Sequence, residues 1–500
     1  MNRVLSTLFL ALLFPAVARA QDPYGVGAAG SGGITPRLSS GQAWMGNAAF
    51  DFDVSGALGG APAVLGLSTQ PASLFLGSTE ILISLAPADA FYFAARVLGG
   101  AGAGAGSGSF PLPLTFPPSL ALAGLQVFAQ AVVFDGGAAG GLAATQGLRV
   151  EVTLPPLIFV GTSVAGSTDP HFFVDPIAQT LSSTAGISQT NNVTDAVFAH
   201  GGKALFVSKS LGDGLTRADL TGAAPAWSSF WSTAPGSCYG VGFDPRFDLV
   251  YTFSGPSGNS RELHALDADP ASPTFGQVLA STAGATAGLG AERWGLSRSG
   301  NRAAIVGVVL TSGPLILVDT DPASPTYLQV LASPTIPAPP AAMILLGLEA
   351  AFTPNDEYVL VLLSGLGAQD IARYHVPSGT FVDHDPLTPG TIENVVLPGA
   401  VPTSMSVSRD GTFAVACGNG WAARVDFDPA TPSSVIVTSY APGPGLLDNA
   451  YGAAISPDGT AVALTSTNPA ELVVLDAPAG SLLFQVALPG GANLYTVEWR

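Results

Sequence analysis

The strongest constraint on this chain is a stretch that it contains twice. Residues 267–281 read DADPASPTFGQVLAS and residues 319–333 read DTDPASPTYLQVLAS, so 12 of 15 positions are identical at an offset of 52 residues. Self-similarity at a fixed period is the sequence signature of repeat architectures. The chain therefore has to be divided into similar units before anything else is inferred from it.

A larger unit surrounds each copy of this stretch. It begins with a short apolar strand, a tight turn and a second apolar strand, and a third strand and the doubled stretch follow. The copies of its first half are AVFAHGGKALFVSKS from Ala196, GVGFDPRFDLVYTFS from Gly240, WGLSRSGNRAAIVGV from Trp294, AAFTPNDEYVLVLLS from Ala350, SVSRDGTFAVACGNG from Ser406 and AAISPDGTAVALTST from Ala453. The Asp-Gly pairs predict type I turns closed by a glycine with positive φ.

Four strands in a unit of roughly 40 to 55 residues is the period of a β-propeller blade. The chain ends on NLYTVEWR, which has the character of a first strand with nothing after it. Residues 157–166 and 171–181 have the character of later strands that lack a first strand. We expect the C-terminal strand to pair with them, because ring closure removes two exposed sheet edges. Six units and this composite predict a seven-bladed propeller.

The segment before the repeats has a different pattern. Residues 21–155 contain alternating runs such as AFDFDV and LQVFAQAVVFD, separated by Gly and Pro, which is typical of an antiparallel β-sandwich. Residues 1–20 have Arg3, an apolar stretch and Ala18-Arg19-Ala20, the three parts of a secretory signal. The prediction is an all-β chain with a signal peptide at 1–20, a β-sandwich domain at 21–155 and a β-propeller at 156–500.

Charge and hydropathy limit the partners and the compartment. The net charge is −18, and loss of two arginines with the signal takes it to −20; such a surface repels nucleic acid and anionic headgroups. No later apolar run is long enough to span a bilayer, so we expect no membrane insertion after signal cleavage. The predicted localisation is secreted, whether periplasmic, cell-surface or extracellular.

Cys238 and Cys417 lie in blades three units apart, and we expect them to remain unlinked.

The strand–Asp-Gly–strand units resemble a known family. SPDGTAVALTSTNPAELVVLD from Ser456 and SRDGTFAVACGNGWAARVDFD from Ser408 resemble the secreted YVTN-type propellers, a group that includes the lactonase-like family. The resemblance covers residues 156–500, but the literal Tyr-Val-Thr-Asn tetrapeptide and the Trp-Asp endings of WD40 blades are absent from them. It implies the seven-bladed fold and allows a lactonase-like activity, while one fold hosts many functions.

The sequence contains no recognisable catalytic or metal motif. None of the five histidines is spaced to form a local metal pair, and there is no Gly-x-Ser-x-Gly or Cys-x-x-Cys. His264 stands where sister blades have Ile316 and Val473, so we expect a packed structural histidine. The Asp-x-Asp pairs that begin at Asp267 and Asp319 have calcium-like spacing, but no later acid completes a site. Turn chemistry accounts for them, and we expect neither a metal nor a cofactor.

Geometry gives the better candidates for a binding site. In a propeller, the loops that lead into first strands and those between second and third strands share one rim of the central channel, and ligands favour such concave mouths. The candidates from these loops are Asn192, Asp195, Tyr239, Glu292, Arg293, Trp294, Glu349, Trp421, Asp448, Asn449, Tyr451 and Tyr495. The segment GAERWG at 290–295 is the most distinctive: it is either an Arg–Glu pair with a packed indole or an anchor for a polar or sugar-like ligand.

These observations leave three functional hypotheses. The first is an exported β-propeller binding or scaffolding protein of the cell envelope or extracellular space, whose partner is a protein, a glycan or an envelope component. The second is a lactonase-like hydrolase acting at the channel mouth, and the third is a structural surface protein. Ionisable groups that face the channel would favour the enzyme, and exposed apolar surface would favour binding or assembly.

Overall fold

The structure is a computed structural model that describes residues 22–500 with short gaps. The gaps are residues 101, 103, 163–170, 185–192, 210–213, 223, 233–235, 256–261, 283–293, 310–312, 338–344, 366–367, 386–390, 429–432, 442–445 and 490–493. The predicted signal peptide at 1–20 lies outside the described residues.

The described residues are built from β-strands, and every pairing between named strands is antiparallel. Three short 3₁₀ turns, Ser31–Gly33, Leu120–Leu122 and Ala139–Gly141, are the only helical elements among them. In this part of the chain, no helix has the length and apolar character needed to cross a membrane. The all-β prediction is confirmed.

The chain divides into two compact units. One holds the described residues up to Pro156 together with His200–Lys203, and the other holds Leu157–Ala199 and Ala204–Arg500. The assignment of residues 21–155 and 156–500 as a β-sandwich domain and a β-propeller domain stays a prediction.

The described residues of the N-terminal unit form three sheets. Its strands are β1 (Asp22–Tyr24), β2 (Arg37–Ser40), β3 (Asp51–Ala57), β4 (Pro62–Ser68), β5 (Pro71–Leu76), β6 (Thr79–Ile83), β7 (Ala90–Val97), β8 (Gly108–Pro113), β9 (Gln126–Phe134), β10 (Leu142–Ala144) and β11 (Gly147–Glu151). Sheet A has the order β1-β11-β9-β4-β7, with β10 also on β9; sheet B is β2-β3-β8 and sheet C is β5-β6.

Alternation along the strands of sheets A and B places one side of each of these sheets in a common core. In β8 the residues alternate strictly between buried and exposed, as expected for a strand with one face covered. Phe52 and Val54 of sheet B and Leu65 and Val127 of sheet A belong to the same buried cluster. The side chains of sheets A and B therefore pack against one another.

The strands of the second unit form seven sheets among the described residues. Sheet D contains β12 (Ile158–Thr162), β13 (His171–Asp175) and β14 (Thr180–Thr184); sheet E contains β15 (Val193–Ala199), β16 (Ala204–Lys209), β17 (Leu215–Asp219) and β18 (Ala226–Trp231). Sheet F contains β19 (Ser237–Asp244), β20 (Leu249–Gly255), β21 (Glu262–Asp267) and β22 (Val278–Ser281); sheet G contains β23 (Trp294–Leu296), β24 (Arg302–Val306), β26 (Leu315–Asp319) and β27 (Val330–Ala332).

The remaining strands continue the series. Sheet H contains β25 (Val308–Val309), β28 (Leu345–Phe352), β29 (Tyr358–Gly365), β30 (Ala368–His375), β31 (Thr380–Phe381) and β32 (Val395–Val396). Sheet I contains β33 (Pro402–Val407), β34 (Phe413–Gly418), β35 (Trp421–Phe427) and β36 (Val435–Tyr440), and sheet J contains β37 (Ala450–Ile455), β38 (Ala461–Thr467), β39 (Ala470–Asp476) and β40 (Leu482–Ala487).

Sheets E, F, G, I and J each place their four main strands side by side in chain order. Sheet D is different because its order is β14-β13-β12-β41, where β41 (Leu494–Trp499) comes from the other end of the chain. The register joins Ile158 to Trp499 and Val160 to Val497. The C-terminal segment therefore occupies the position that a first strand has in the other sheets.

The hairpin turns form as the Asp-Gly signals predict. Gly411 and Gly459 have φ of 72° and 73°, a conformation that glycine adopts without steric cost. Asp458 accepts hydrogen bonds from the Ser456 hydroxyl and from the Thr460 backbone N–H. Local side-chain bonds of this kind favour a turn over any extended alternative.

The doubled stretch forms the turn before the fourth strand, as the repeat predicts. In the first copy, the Asp267 carboxylate accepts bonds from the Ser272 and Thr274 hydroxyls and from the Asp269 N–H. In the second copy, Asp319 accepts bonds from the Thr326 hydroxyl and the Asp321 N–H. The repeated aspartates thus organise the same turn twice, which accounts for their presence in both copies.

Candidate functional site

The first strands of neighbouring sheets are joined by polar side chains. Thr194 of β15 donates its hydroxyl to the Cys238 carbonyl of β19 at 3.0 Å. Thr403 of β33 donates to the Ala450 carbonyl of β37 at 2.7 Å. These bonds satisfy backbone groups at the sheet edge that each first strand forms. Polar side chains therefore link β15 with β19 and β33 with β37, and the rim candidates have to be placed against these strands.

Two acidic candidates take part in the same network. Asp195 accepts the Val241 N–H of the next first strand at 3.0 Å. Glu349 accepts the Met405 N–H at 2.8 Å and the Ser404 hydroxyl at 3.2 Å. Each follows a register shift in its strand, which turns the side chain towards the neighbouring sheet. Both carboxylates therefore hold adjacent first strands together.

The two tryptophan candidates are packed inside the unit. Trp294 is buried in a cluster with Phe253, and its indole N–H bonds to the Tyr239 carbonyl at 3.2 Å. Trp421 is buried as well, and its indole N–H bonds to the Ala400 carbonyl at 2.7 Å. A buried indole generally finds such a partner. The packing interpretation of Trp294 is therefore the one that the geometry supports.

The rim residues of sheet J remain accessible. The Tyr451 side chain is 37% exposed on β37, Asp448 is exposed and Asn449 is partly buried. The Asn449 carbonyl accepts the Thr467 N–H at 3.1 Å, which fixes the start of this strand. Tyr451 is therefore the most exposed aromatic candidate among the described residues, since Tyr239 is partly buried.

Four further candidates cannot be placed by their side chains. Asn192, Glu292 and Arg293 lie outside the described residues, and so does the Tyr495 side chain, although its backbone is in β41.

The expected location of several candidates in loops is wrong. Asp195, Tyr239, Glu349, Trp421 and Tyr451 lie within strands. The first strands that carry Asp195, Tyr239, Glu349 and Tyr451 reach further towards the rim than the hydrophobic pattern indicated, because each contains a register shift where the alternation changes phase. Trp421 begins the third strand of sheet I, β35.

Glu498 of β41 is a charged residue that the sequence-based candidates did not include. Burial raises the pKa of Glu498 to about 8, and the negative charges of Asp195 and Glu349 add to this rise. The positive charge of Arg409 acts in the opposite direction. These charges come from sheets E, H and I, so Glu498 is within electrostatic reach of three sheets besides its own. In sheets H, I and J, the residue just before the last apolar residue of the first strand is small. These residues are Ala351, Ser406 and Ala454. That contrast within the repeat is the signal that could have identified it.

The turns between first and second strands are also linked. Asp356 of sheet H accepts the backbone N–H groups of Arg298 and Ser299 of sheet G at 2.9 and 3.1 Å. The Arg298 guanidinium donates in turn to the Arg409 carbonyl of sheet I. The charged groups near these turns therefore hold three sheets in fixed relation.

The remaining chemistry-bearing residues have structural surroundings. His264 is buried, bonds to the Ser281 hydroxyl at 2.7 Å and packs on Trp231, which confirms the packed-histidine prediction. Cys238 and Cys417 are buried free cysteines, as predicted, and burial raises the pKa of Cys238 to about 11. Among the described residues, no group of three His, Cys, Asp or Glu side chains could hold a metal ion.

Comparison with known proteins gives likenesses in structure only. No protein-family model matches the sequence, and no curated protein matches it. A putative 6-phosphogluconolactonase from Bacteroides uniformis aligns with a TM-score of 0.50 at 13% identity, covering 69% of this chain and 99% of that one. A protein from Lactobacillus plantarum aligns at 0.49 and 18%, covering 69% and 99%.

The β-propeller domain of Swd1 from Myceliophteria thermophila aligns at 0.45 and 12%, covering 62% of this chain and 92% of that one. Identities this low show a similar fold and nothing about activity. The chain has a propeller-like all-β fold.

Proposed function

We propose that residues 156–500 form a seven-bladed β-propeller closed by β41, behind a signal peptide and a β-sandwich domain. The support for closure is the β12–β41 pairing and a cycle of contacts between first strands. In that cycle β41 contacts β15, the contacts continue through β19, β23, β28, β33 and β37, and β37 contacts β41 again. Seven sheets in such a cycle leave no first strand without a neighbour on either side. The common core of sheets A and B supports the sandwich.

The function that this geometry supports best is binding or scaffolding in the cell envelope or extracellular space. One observation carries it: the outermost strands of three sheets expose pairs of large aliphatic side chains. The pairs are Val278–Leu279 in sheet F, Val330–Leu331 in sheet G and Leu482–Leu483 in sheet J, each residue 39–52% exposed. Exposed apolar surface that recurs at one structural position marks an interaction surface.

The apolar character of these pairs favours a protein partner over a glycan. Aliphatic side chains gain by leaving water at about 25 cal/mol per Å², whereas sugars are bound mainly through hydrogen bonds and aromatic faces. The acidic candidates Asp195 and Glu349 are engaged in holding first strands together, so they do not favour catalysis over binding. The proposed localisation is outside the cytoplasm, in line with the signal-like residues 1–20.

The test compares the chain 21–500 with Val330→Asp/Leu331→Asp and with Gln329→Asp, an exposed control residue just before the same strand. Each is immobilised and exposed to the envelope and secreted proteins of the producing cell, and bound proteins are quantified by mass spectrometry. A partner retained by the native chain and the control, and lost by at least tenfold with the double variant, supports the proposal. Equal retention by all three contradicts it.

Glu498 favours a second candidate, a lactonase-like hydrolase. Burial and the charges of Asp195 and Glu349 raise the pKa of Glu498 to about 8, which is the range that a general acid or base needs near neutral pH. A screen of lactones and esters on the native chain and Glu498→Gln decides this. Turnover that falls at least 100-fold in the variant would establish the hydrolase, and no turnover by the native chain would reject it.

A further inference from the structure

A buried polar pair lies at the seam between sheets I and J. Ser466 near the end of β38 and Glu471 near the start of β39 are directly opposite each other in the antiparallel register. Side chains of such a pair lie on one face of the sheet, with Cβ atoms about 5 Å apart. Ser466 is 0% exposed and Glu471 is 4% exposed. Two oxygen-bearing side chains are thus enclosed together.

The face that carries this pair looks towards sheet I. Leu464 and Val473, two residues away along β38 and β39, point the same way because side chains alternate along a strand. Both pack in one cluster with Cys417, Ala422 and Leu447, which sheet I and the segment before β37 provide. The pair therefore ends an apolar seam on the side where β37 begins.

Neither oxygen is satisfied by the residues that the structure describes. The Ser466 Oγ and the Glu471 Oε1 are both buried and have no hydrogen-bond partner there. A buried polar atom without a partner costs about 1–3 kcal/mol, and a buried charge without a counter-charge costs more. Burial raises the pKa of Glu471, and no basic group among the described residues offsets this rise. The two unpartnered oxygens can accept N–H donors, and a donor that also carries positive charge would stabilise the ionised form of the Glu471 carboxyl.

We propose that Ser466 and Glu471 form a binding site for the ammonium group of a small amine, held at the seam of sheets I and J. An ammonium group supplies three N–H donors and one positive charge. It satisfies both oxygens and neutralises the carboxylate at once. A divalent metal fits less well, because calcium takes six or more oxygen ligands and two side-chain oxygens fall far short of that number. This site does not depend on the protein partner proposed above.

Glu262 provides a matched control within the same chain. It stands opposite Ser254 in sheet F, in the position that Glu471 has opposite Ser466. Its side chain is partly exposed, so water can solvate the carboxylate without a ligand. The Glu262→Gln variant changes charge equally and leaves the proposed site intact.

The experiment measures the thermal midpoint of the chain 21–500 in methylammonium chloride at pH 7. Tetramethylammonium chloride, which has no N–H, and sodium chloride at equal concentration are the reference salts. We expect methylammonium to raise the midpoint by about 1–3 °C over both references. Glu471→Gln abolishes this difference, Ser466→Ala reduces it and Glu262→Gln retains it.

A crystal structure of the native chain grown with methylammonium gives a readout that does not depend on the variants. The site requires a nitrogen within about 3.2 Å of both Ser466 Oγ and Glu471 Oε1. A water molecule alone in that position, or equal midpoints in the three salts, would overturn the proposal.

Discussion

Asp267 and Asp319 each organise the turn that precedes a fourth strand. Burial raises the pKa of Asp267, but hydrogen bonds from Ser272, Thr274 and Asp269 outweigh it and leave the pKa below its ordinary value. The pKa of Asp319 is lowered by the corresponding bonds. The ionised carboxylate is therefore the form that the folded turn requires.

Replacing Asp319 with alanine is expected to lower the free energy of unfolding by about 1–3 kcal/mol, because the Thr326 hydroxyl and the Asp321 N–H lose their acceptor. Urea denaturation at pH 7 measures the change. Asp321→Ala, which removes a single exposed bond to Ala323, is the control and should cost less. Since the folded pKa is depressed, the contribution of Asp319 is present above about pH 4 and is lost as the pH falls through the folded value. Equal effects of the two substitutions would contradict this role.

Glu498 has the opposite pH behaviour. Because its folded pKa is raised to about 8, the folded state holds a proton that the unfolded state releases near pH 4.3. Stability from this group is therefore full below about pH 4 and is lost progressively as the pH rises to 8. Glu498→Gln keeps the neutral form, so we expect its thermal midpoint to exceed that of the native chain at pH 8.5 and to match it near pH 4. Parallel pH profiles of the two proteins would refute the assignment.

At the scale of elements, the first strands depend on side chains from their neighbours. Glu349 of β28 accepts bonds from Met405 and Ser404 of β33. Removing it leaves a backbone N–H on an inner strand without that acceptor. Inner-strand acids are therefore stability determinants, whichever ligand the rim binds.

The Glu349→Ala variant is expected to lose about 1–3 kcal/mol of unfolding free energy. Glu357→Ala is the control, since that acid is 42% exposed and pairs with His375 at the surface, where an ion pair contributes about 0–1 kcal/mol. Chemical denaturation of both variants at one pH provides the comparison. A larger loss for Glu357→Ala would show that the bond between β28 and β33 is unimportant.

How well the sequence predicts an element depends on how far apart in the chain the interacting residues lie. The Ser-Pro-Asp-Gly and Asp-Pro-Ala-Ser-Pro turns depend on neighbours within a few residues, so the sequence predicts them well. The positions of the Asp195 and Glu349 side chains depend on register shifts and on bonds to the next sheet. The hydrophobic pattern of one strand carries no information about either. The sequence indicated that Trp294 is distinctive, but only its bond to Tyr239 and its contact with Phe253 show that it is packed.

At the scale of the whole molecule, the two compact units predict separable folding. The unit boundary at Pro156 and Leu157 leads us to expect that residues 156–500 are soluble alone, with a cooperative thermal transition. A shorter chain that begins at residue 171, and so lacks β12, is the control, because it removes the strand that pairs with β41. Aggregation of 156–500 under conditions where 21–500 stays soluble would contradict independent folding.

Ring closure by the C-terminal strand is the central claim, because the blade number and the convergence of charges at Glu498 depend on it. Leu494 and Val497 are 1% and 4% exposed and belong to the core between sheets D and J. Burial of each contributes about 1.5–3 kcal/mol. Losing both contributions would remove a large part of a total stability of about 5–15 kcal/mol. Deleting β41 would also leave β12 without its partner strand in sheet D.

The most direct measurement is the thermal denaturation midpoint of the chain 21–500 with Leu494–Arg500 deleted. Its control is the full-length chain with Leu482 and Leu483 changed to serine, which removes apolar side chains that are already exposed. We predict that the deletion lowers the midpoint by more than about 10 °C or prevents soluble folding, while the control stays within about 2 °C of the native chain. An unchanged midpoint for the deletion would contradict closure, because a dispensable tail cannot be the first strand of a blade.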